Sequence, residues 1–106
     1  MLQEAITDFK RASELAPSDA NIYYNLGISY YNMGVEITES ARLIRNNRDY
    51  QAARLEARND FQEAVTWFEK AYQINPGHQP TISKLYQLYQ RLQMPEKEKR
   101  LEPLIR

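Results

Sequence analysis

The sequence predicts an all-α fold of about five helices, two of them long and packed on each other as an antiparallel hairpin. Three observations carry that expectation. Apolar residues recur at steps of three and four through most of the chain, where strands would show steps of two. Glycine is scarce, with three residues in 106, while Ala, Leu, Glu, Gln and Arg are plentiful, a balance that favours helix. Five prolines, at 17, 76, 80, 95 and 103, punctuate the periodic segments.

The first element is LQEAITDFKRASELAP, residues 2–17, with Leu2, Ala5, Phe9 and Ala12 at helical spacing and a proline stop. The second is DANIYYNLGISYYNMG, residues 19–34, with Tyr23, Leu26, Tyr30 and Met33 on one stripe. FQEAVTWFEKAYQINP, residues 61–76, resembles the first element: seven of sixteen positions are identical, and Phe61, Ala64, Phe68 and Ala71 repeat its stripe. HQPTISKLYQLYQRLQ, residues 78–93, resembles the second, with Ile82, Leu85, Tyr89 and Leu92 at matching steps. A fifth helix is expected near PEKEKRLEPLIR.

These residues resemble the tetratricopeptide repeat, whose pattern is W-x2-L-G-x2-Y, then A-x3-F, then P, over about 34 residues. Tyr23 stands for the Trp, while Leu26, Gly27 and Tyr30 match directly, and Ala64, Phe68, Ala71 and Pro76 complete the unit. Ala5, Phe9, Ala12 and Pro17 match the second half of an earlier unit. The last unit departs from the pattern, with bulky Tyr86 where the family has a small residue. The resemblance implies a helix-turn-helix solenoid, an α–α superhelix, in one domain over 1–106. Residues 2–16 read as the second helix of a partial repeat, 19–75 as the central repeat, and 79–105 as a third, divergent repeat.

Corresponding residues in the two matched halves lie 59 positions apart, 25 more than the repeat length of about 34. The excess, residues 35–59, holds no proline or glycine, and a structureless loop of that length is uncommon in a compact domain. Steps of three and four continue through it, at Ile37, Ala41 and Ile44 on one arm and Tyr50, Ala53 and Ala57 on the other. Pairing positions whose numbers sum to 94 sets Tyr23 against Ala71, Leu26 against Phe68, Tyr30 against Ala64, Met33 against Phe61 and Ile37 against Ala57, so large residues mostly face small ones. The insertion is therefore expected to lengthen the repeat's own hairpin, with a turn at Asn46-Asn47-Arg48 and Asp49 capping the returning helix.

Composition narrows the function classes. Fourteen basic and fourteen acidic residues cancel, which argues against a general binder of nucleic acid or anionic membrane. No apolar run approaches the ~20 residues of a membrane span, and MLQEAITDFK lacks the apolar segment of a secretory signal. Cysteine is absent, and the one histidine, His78, stands in the turn NPGHQP, where exposure is expected. No phosphate-cradling glycine loop, nucleophile elbow or metalloprotease motif occurs. Acid pairs such as Glu36/Glu39 and Glu96/Glu98 read as solvated helix faces. No enzyme activity, cofactor or metal is expected.

In the family, first helices line a concave face that grips a peptide or a partner's helix. By that analogy the groove stripe is Asn21, Tyr24, Ile28, Tyr31 and Asn32, joined by Ser83, Gln87, Gln90 and Arg91. Tyrosine supplies apolar area with a polar tip, and amides can satisfy an extended backbone. The plain alternative is that Tyr24 and Ile28 only pack against neighbouring helices. Some family members clamp a terminal carboxylate with Lys, Asn and Arg. Asn25 and Lys84 match part of that arrangement, but Pro80 stands where a further base would help, so the clamp is half present. The hairpin tip holds Arg42, Arg45, Arg48, Arg54 and Arg58 among Glu36, Glu39, Asp49 and Glu56, a net of one positive charge over 35–59, which reads as a solvated surface.

The expected role is a protein–protein interaction module binding a peptide or partner-protein segment. The alternative is a structural or oligomerisation element, or an accessory domain of a longer multidomain protein. The unpaired first helix suggests that Met1 is a start added to a piece of a longer chain, and that a homodimer forms through the incomplete repeat.

Overall fold

A computed structural model of the protein describes residues 2–105, apart from the side chain of Leu2. Met1, Arg106 and the expected place of Leu2 on the first apolar stripe lie outside the described residues. The elements in order are α1 (Leu2–Leu15), α2 (Ala20–Ala41), α3 (Asn47–Ile74), α4 (Gln79–Arg91) and α5 (Pro95–Leu101), followed by a 3-10 turn (Glu102–Leu104). No strand occurs among the described residues.

The ends of these helices follow from local chemistry. Asp19 caps α2 by accepting the Asn21 amide at 3.0 Å. The Tyr23 hydroxyl donates to the Pro17 carbonyl at 2.9 Å, which fixes the turn between α1 and α2. Pro80 sits in the first turn of α4, where its missing N–H costs nothing. At the far end of α4, Gln93 turns left-handed (φ 56°), and the Met94 amide reaches back to the Tyr89 carbonyl at 2.8 Å, closing the helix.

The two long helices are the axis of the molecule. The 28 residues of α3 make a rod of about 42 Å at 1.5 Å per residue, against a longest molecular dimension of 44 Å. It runs antiparallel to α2, because Tyr24 meets Phe68 while Tyr31, further along α2, meets Phe61, earlier in α3. The rings of Phe68 and Phe61 sit on the backbone of Gly27 and Gly34. Two glycines seven apart thus face two phenylalanines seven apart, one heptad on each rod. The same register buries Tyr23, Leu26 and Ala41 on α2 and Ala57, Phe61, Ala64, Phe68 and Ala71 on α3.

The turn differs from the expectation. α2 ends at Ala41, and residues 42–46 form the connection. Asn46, not Asp49, caps α3: its Oδ1 accepts the Asp49 amide at 3.2 Å. Asp49 lies in the first turn, where its charge suits the positive end of the helix dipole. Ile44 therefore leaves the helical seam. The physical reason is that Asn46 offers a side-chain acceptor three residues before an acid, a better start than a cap placed deeper in the helix.

Two apolar clusters hold the stack. Ile6, Tyr23, Leu26 and Ala71 join α1 to the hairpin, with Trp67 stacked 6.0 Å from Tyr23. A larger one gathers Phe61, Val65 and Phe68 of α3, Ile82, Leu85 and Leu88 of α4, and Leu101 of α5. Glu69 of α3 ties the last helices: its Oε2 accepts from the Tyr89 hydroxyl at 2.5 Å and from Lys97 Nζ at 2.9 Å.

Candidate partner-binding face

The stripe beginning at Asn21 does not behave as one surface. Tyr24, Ile28 and Tyr31 are half-buried and pack against the α3–α4 cluster. The Tyr24 ring lies 5.6 Å from Phe68 and meets His78 edge-on at 5.1 Å. Tyr31 lies 5.8 Å from Phe61 and carries Lys84 Nζ over its face at 4.2 Å. These residues join α2 to α3 and α4, so much of their apolar area already has a protein neighbour. Asn21 and Asn32 are exposed at the ends of the stripe, and Asn25 is half-buried.

On α4, Ser83, Gln87 and Gln90 are exposed. Among the described residues, the side chains of Asn21, Asn25, Asn32, Ser83, Gln87 and Gln90 make no hydrogen bond within the protein, so their donors and acceptors are turned to water. Lys84 is half-buried on Tyr31, a contact that holds its charge between α2 and α4. Asn25 and Lys84 make no ion pair or hydrogen bond among the described residues. Arg91 departs from the other groove positions: its guanidinium lies 4.5 Å over the Phe61 ring, at the level of the hairpin extension.

His78 is half-buried, where exposure was expected. Its Nδ1 is 2.7 Å from Thr81 Oγ1, and its ring packs against Tyr24. The packing of α2 over the start of α4 covers it. Among the described residues no group of three or more His, Cys, Asp or Glu is placed to hold a metal ion, and no helix is long and apolar enough to cross a membrane.

Sequence reasoning missed two features. One is the Glu69 tie to Tyr89 and Lys97, which spans three helices and leaves no local pattern. The other is a cleft beside Arg91. Its sequence signal was the i, i+4 spacing of Arg54 and Arg58, which puts both on one side of α3 and Glu56 on another.

An all-helical chain of stacked antiparallel helices, with a large hairpin at its centre, is a helical-repeat protein. The family model described as TPR repeat matches residues 2–34, the segment that contains α1 and the first part of α2. Residues 2–34 are thus similar to the tetratricopeptide repeat, and the all-helical architecture agrees with that likeness. Neither the curated proteins nor the solved structures yield a match. Repeats of this family generally mediate protein–protein interaction, and they are typically non-enzymatic modules.

Proposed function

We propose that this chain binds a peptide or a partner-protein segment along the face shared by α2 and α4. In this reading residues 2–16 are the second helix of a partial repeat, 19–75 the central repeat with a helical insertion at 35–59, and 79–105 a divergent third repeat. The supporting observation is the row of hydrogen-bonding side chains without internal partners, Asn21, Asn32, Ser83, Gln87 and Gln90, beside half-buried Tyr24, Ile28 and Tyr31. An extended ligand has backbone donors and acceptors along its length, and amides can meet both. The tyrosine edges add apolar contact at low entropic cost. Lys84 gives the face positive charge, whereas Arg91 is turned to Phe61 and the hairpin. Lys84 would favour a ligand carboxylate.

Truncating Tyr24 or Tyr31 is a poor test, because both rings also support the core. The exposed amides are better. A photo-crosslinking residue at Ser83 or Gln90, both exposed on this face, is expected to capture a protein that the same residue at Glu63 does not. Asn32→Arg with Gln87→Arg is expected to abolish that capture. Identical capture from all positions, or no change in the double variant, would overturn the reading.

A second reading is a structural or oligomerisation element, or an accessory domain of a longer multidomain protein. Leu15 on α1 favours it, being 84% exposed. Sedimentation decides the homodimer: a dimer that Leu15→Lys dissociates supports it, and a monomer at high concentration removes it.

A further inference from the structure

We propose that the elbow between the long hairpin and α4 is a separate binding site for an acidic peptide segment that also presents an apolar side chain. A cleft of about 860 Å³ lies there, within the range of about 300–1,000 Å³ usual for binding pockets. Four arginines line it: Arg42 from the end of α2, Arg54 and Arg58 from α3, and Arg91 from α4. No Asp or Glu lines it. Its accessible apolar surface comes from exposed Leu55 and half-buried Tyr50, above a base of Ala57, Phe61 and Leu92 that are themselves buried. This site does not rest on the amide-bearing face described above.

The linear sequence hides this charge. Over 35–59, five arginines alternate with four acids. Helical geometry then sorts them, so that Arg54 and Arg58 lie one turn apart over the cleft and Glu56 does not line it. Among the described residues Arg54, Arg58 and Arg91 have no ion pair. Arg42 has one, with Glu39 at 3.1 Å, on side chains that are 75% and 62% exposed. Such an exposed pair is weakly held and exchanges readily for a better partner. Arg91 lies over Phe61 at 4.5 Å, and Arg54 is 5.9 Å from the Tyr50 ring centre. A guanidinium resting near a ring can still offer N–H groups to a carboxylate, which it can meet with two parallel bonds.

The hairpin extension is what builds this site. Nine of the twelve lining residues lie within 35–59, and only Phe61, Arg91 and Leu92 come from outside it. A hairpin of ordinary repeat length would leave Arg91 and Leu92 without an opposite wall. The occupant's chemistry follows from the walls. Four cations around the apolar surface of Leu55 and Tyr50 match carboxylates flanking a hydrophobic side chain. A nucleic-acid backbone instead needs cations spread along a surface with few acids nearby, and Glu36, Glu39, Asp49 and Glu56 occur on this same hairpin.

The test uses three fluorescein-labelled nine-residue peptides: four Glu on each side of a central Phe, the same with Lys for Glu, and the same with Ser for Phe. Fluorescence anisotropy reads their binding at low and moderate salt. The Glu–Phe peptide is expected to bind, the Lys peptide not, and the Ser peptide at least tenfold more weakly than the Glu–Phe peptide. Arg54→Glu with Arg58→Glu should cost at least tenfold, and so should Arg91→Glu. Asn32→Arg with Gln87→Arg should leave this binding in place. Arg54→Gln with Arg58→Gln serves if the charge reversal unfolds the chain. Equal binding of Glu and Lys peptides, undiminished binding in either arginine double variant, or tighter binding of a single-stranded oligonucleotide of equal charge would overturn the proposal. So would a wild-type dimer that the arginine variants dissociate, since the occupant would then be a second copy.

Discussion

The ring of Phe68 rests on the backbone of Gly27, so closely that a methyl group at Gly27 would fall 2.6 Å from Phe68 Cδ1. Phe68 is fully buried, in an interior packed closely enough that a ring shifts only at a cost. Gly27→Ala improves helix propensity by about 1 kcal/mol, but overpacking costs about 1–3 kcal/mol. The expected result is a net loss of up to about 2 kcal/mol, read as a lower urea midpoint with an unchanged slope. A variant clearly more stable than the parent would mean that the two rods are not seated glycine to phenylalanine.

Gln93 holds a left-handed conformation (φ 56°) at the end of α4. An L-residue there is strained, whereas glycine is not. Gln93→Gly is expected to gain about 0.5–1 kcal/mol after allowing for glycine's greater freedom in the unfolded chain. A thermal melt checks this. A lowered Tm would show that the α4–α5 turn is built differently.

Tyr89 donates to Glu69, and burial together with that hydrogen bond pushes its hydroxyl well above the ordinary tyrosine pKa. The phenol thus stays a donor at any ordinary pH. Tyr89→Phe is expected to cost about 1.5–3 kcal/mol, as a hydrogen bond to a charged group does. Glu69→Gln should reduce that cost, and a double-mutant cycle measures the coupling. Additive losses in the cycle would remove the tie between α3 and α4.

Asp60 carries a buried Oδ2 with no hydrogen-bond partner. Burial first, and then Glu56 and Glu63, raise its pKa above 3.8. The folded state therefore binds this proton more tightly than the unfolded one. Its contribution to stability is full below the unfolded value and is lost as pH rises through the folded value. Asp60→Asn is expected to raise stability at neutral pH by about 1 kcal/mol or less, and to remove this group's loss of stability as pH rises. Denaturation at pH 3 and pH 7 checks both. A variant less stable at pH 7 would mean that the carboxylate has a partner in solution.

Most of the fold was legible because helices this strongly periodic announce their buried face. Leu26, Phe61, Ala64 and Phe68 follow from steps of three and four, and the pairing of α2 with α3 follows from their order. The turn was not legible in detail, because no proline or glycine marks residues 42–46 and three Asn/Asp residues compete to cap α3. Tyr24 and Tyr31 show the limit for the candidate face. Periodicity places them on one stripe of α2, but whether α4 covers that stripe depends on how the helices stack. Arg91 shows the same limit from the other side. Its register on α4 groups it with Gln87, whereas the length of the neighbouring hairpin brings it to Phe61.

The central claim is that the segment 35–59 prolongs the hairpin as two facing rods joined at residues 42–46. The most direct test places spin labels at Ser40→Cys and Leu55→Cys, both exposed positions in a chain without cysteine. Helices packed about 8–10 Å apart predict a single narrow distance distribution, unchanged by dilution with unlabelled protein. A broad distribution, of the kind a flexible connecting segment gives, would contradict the account.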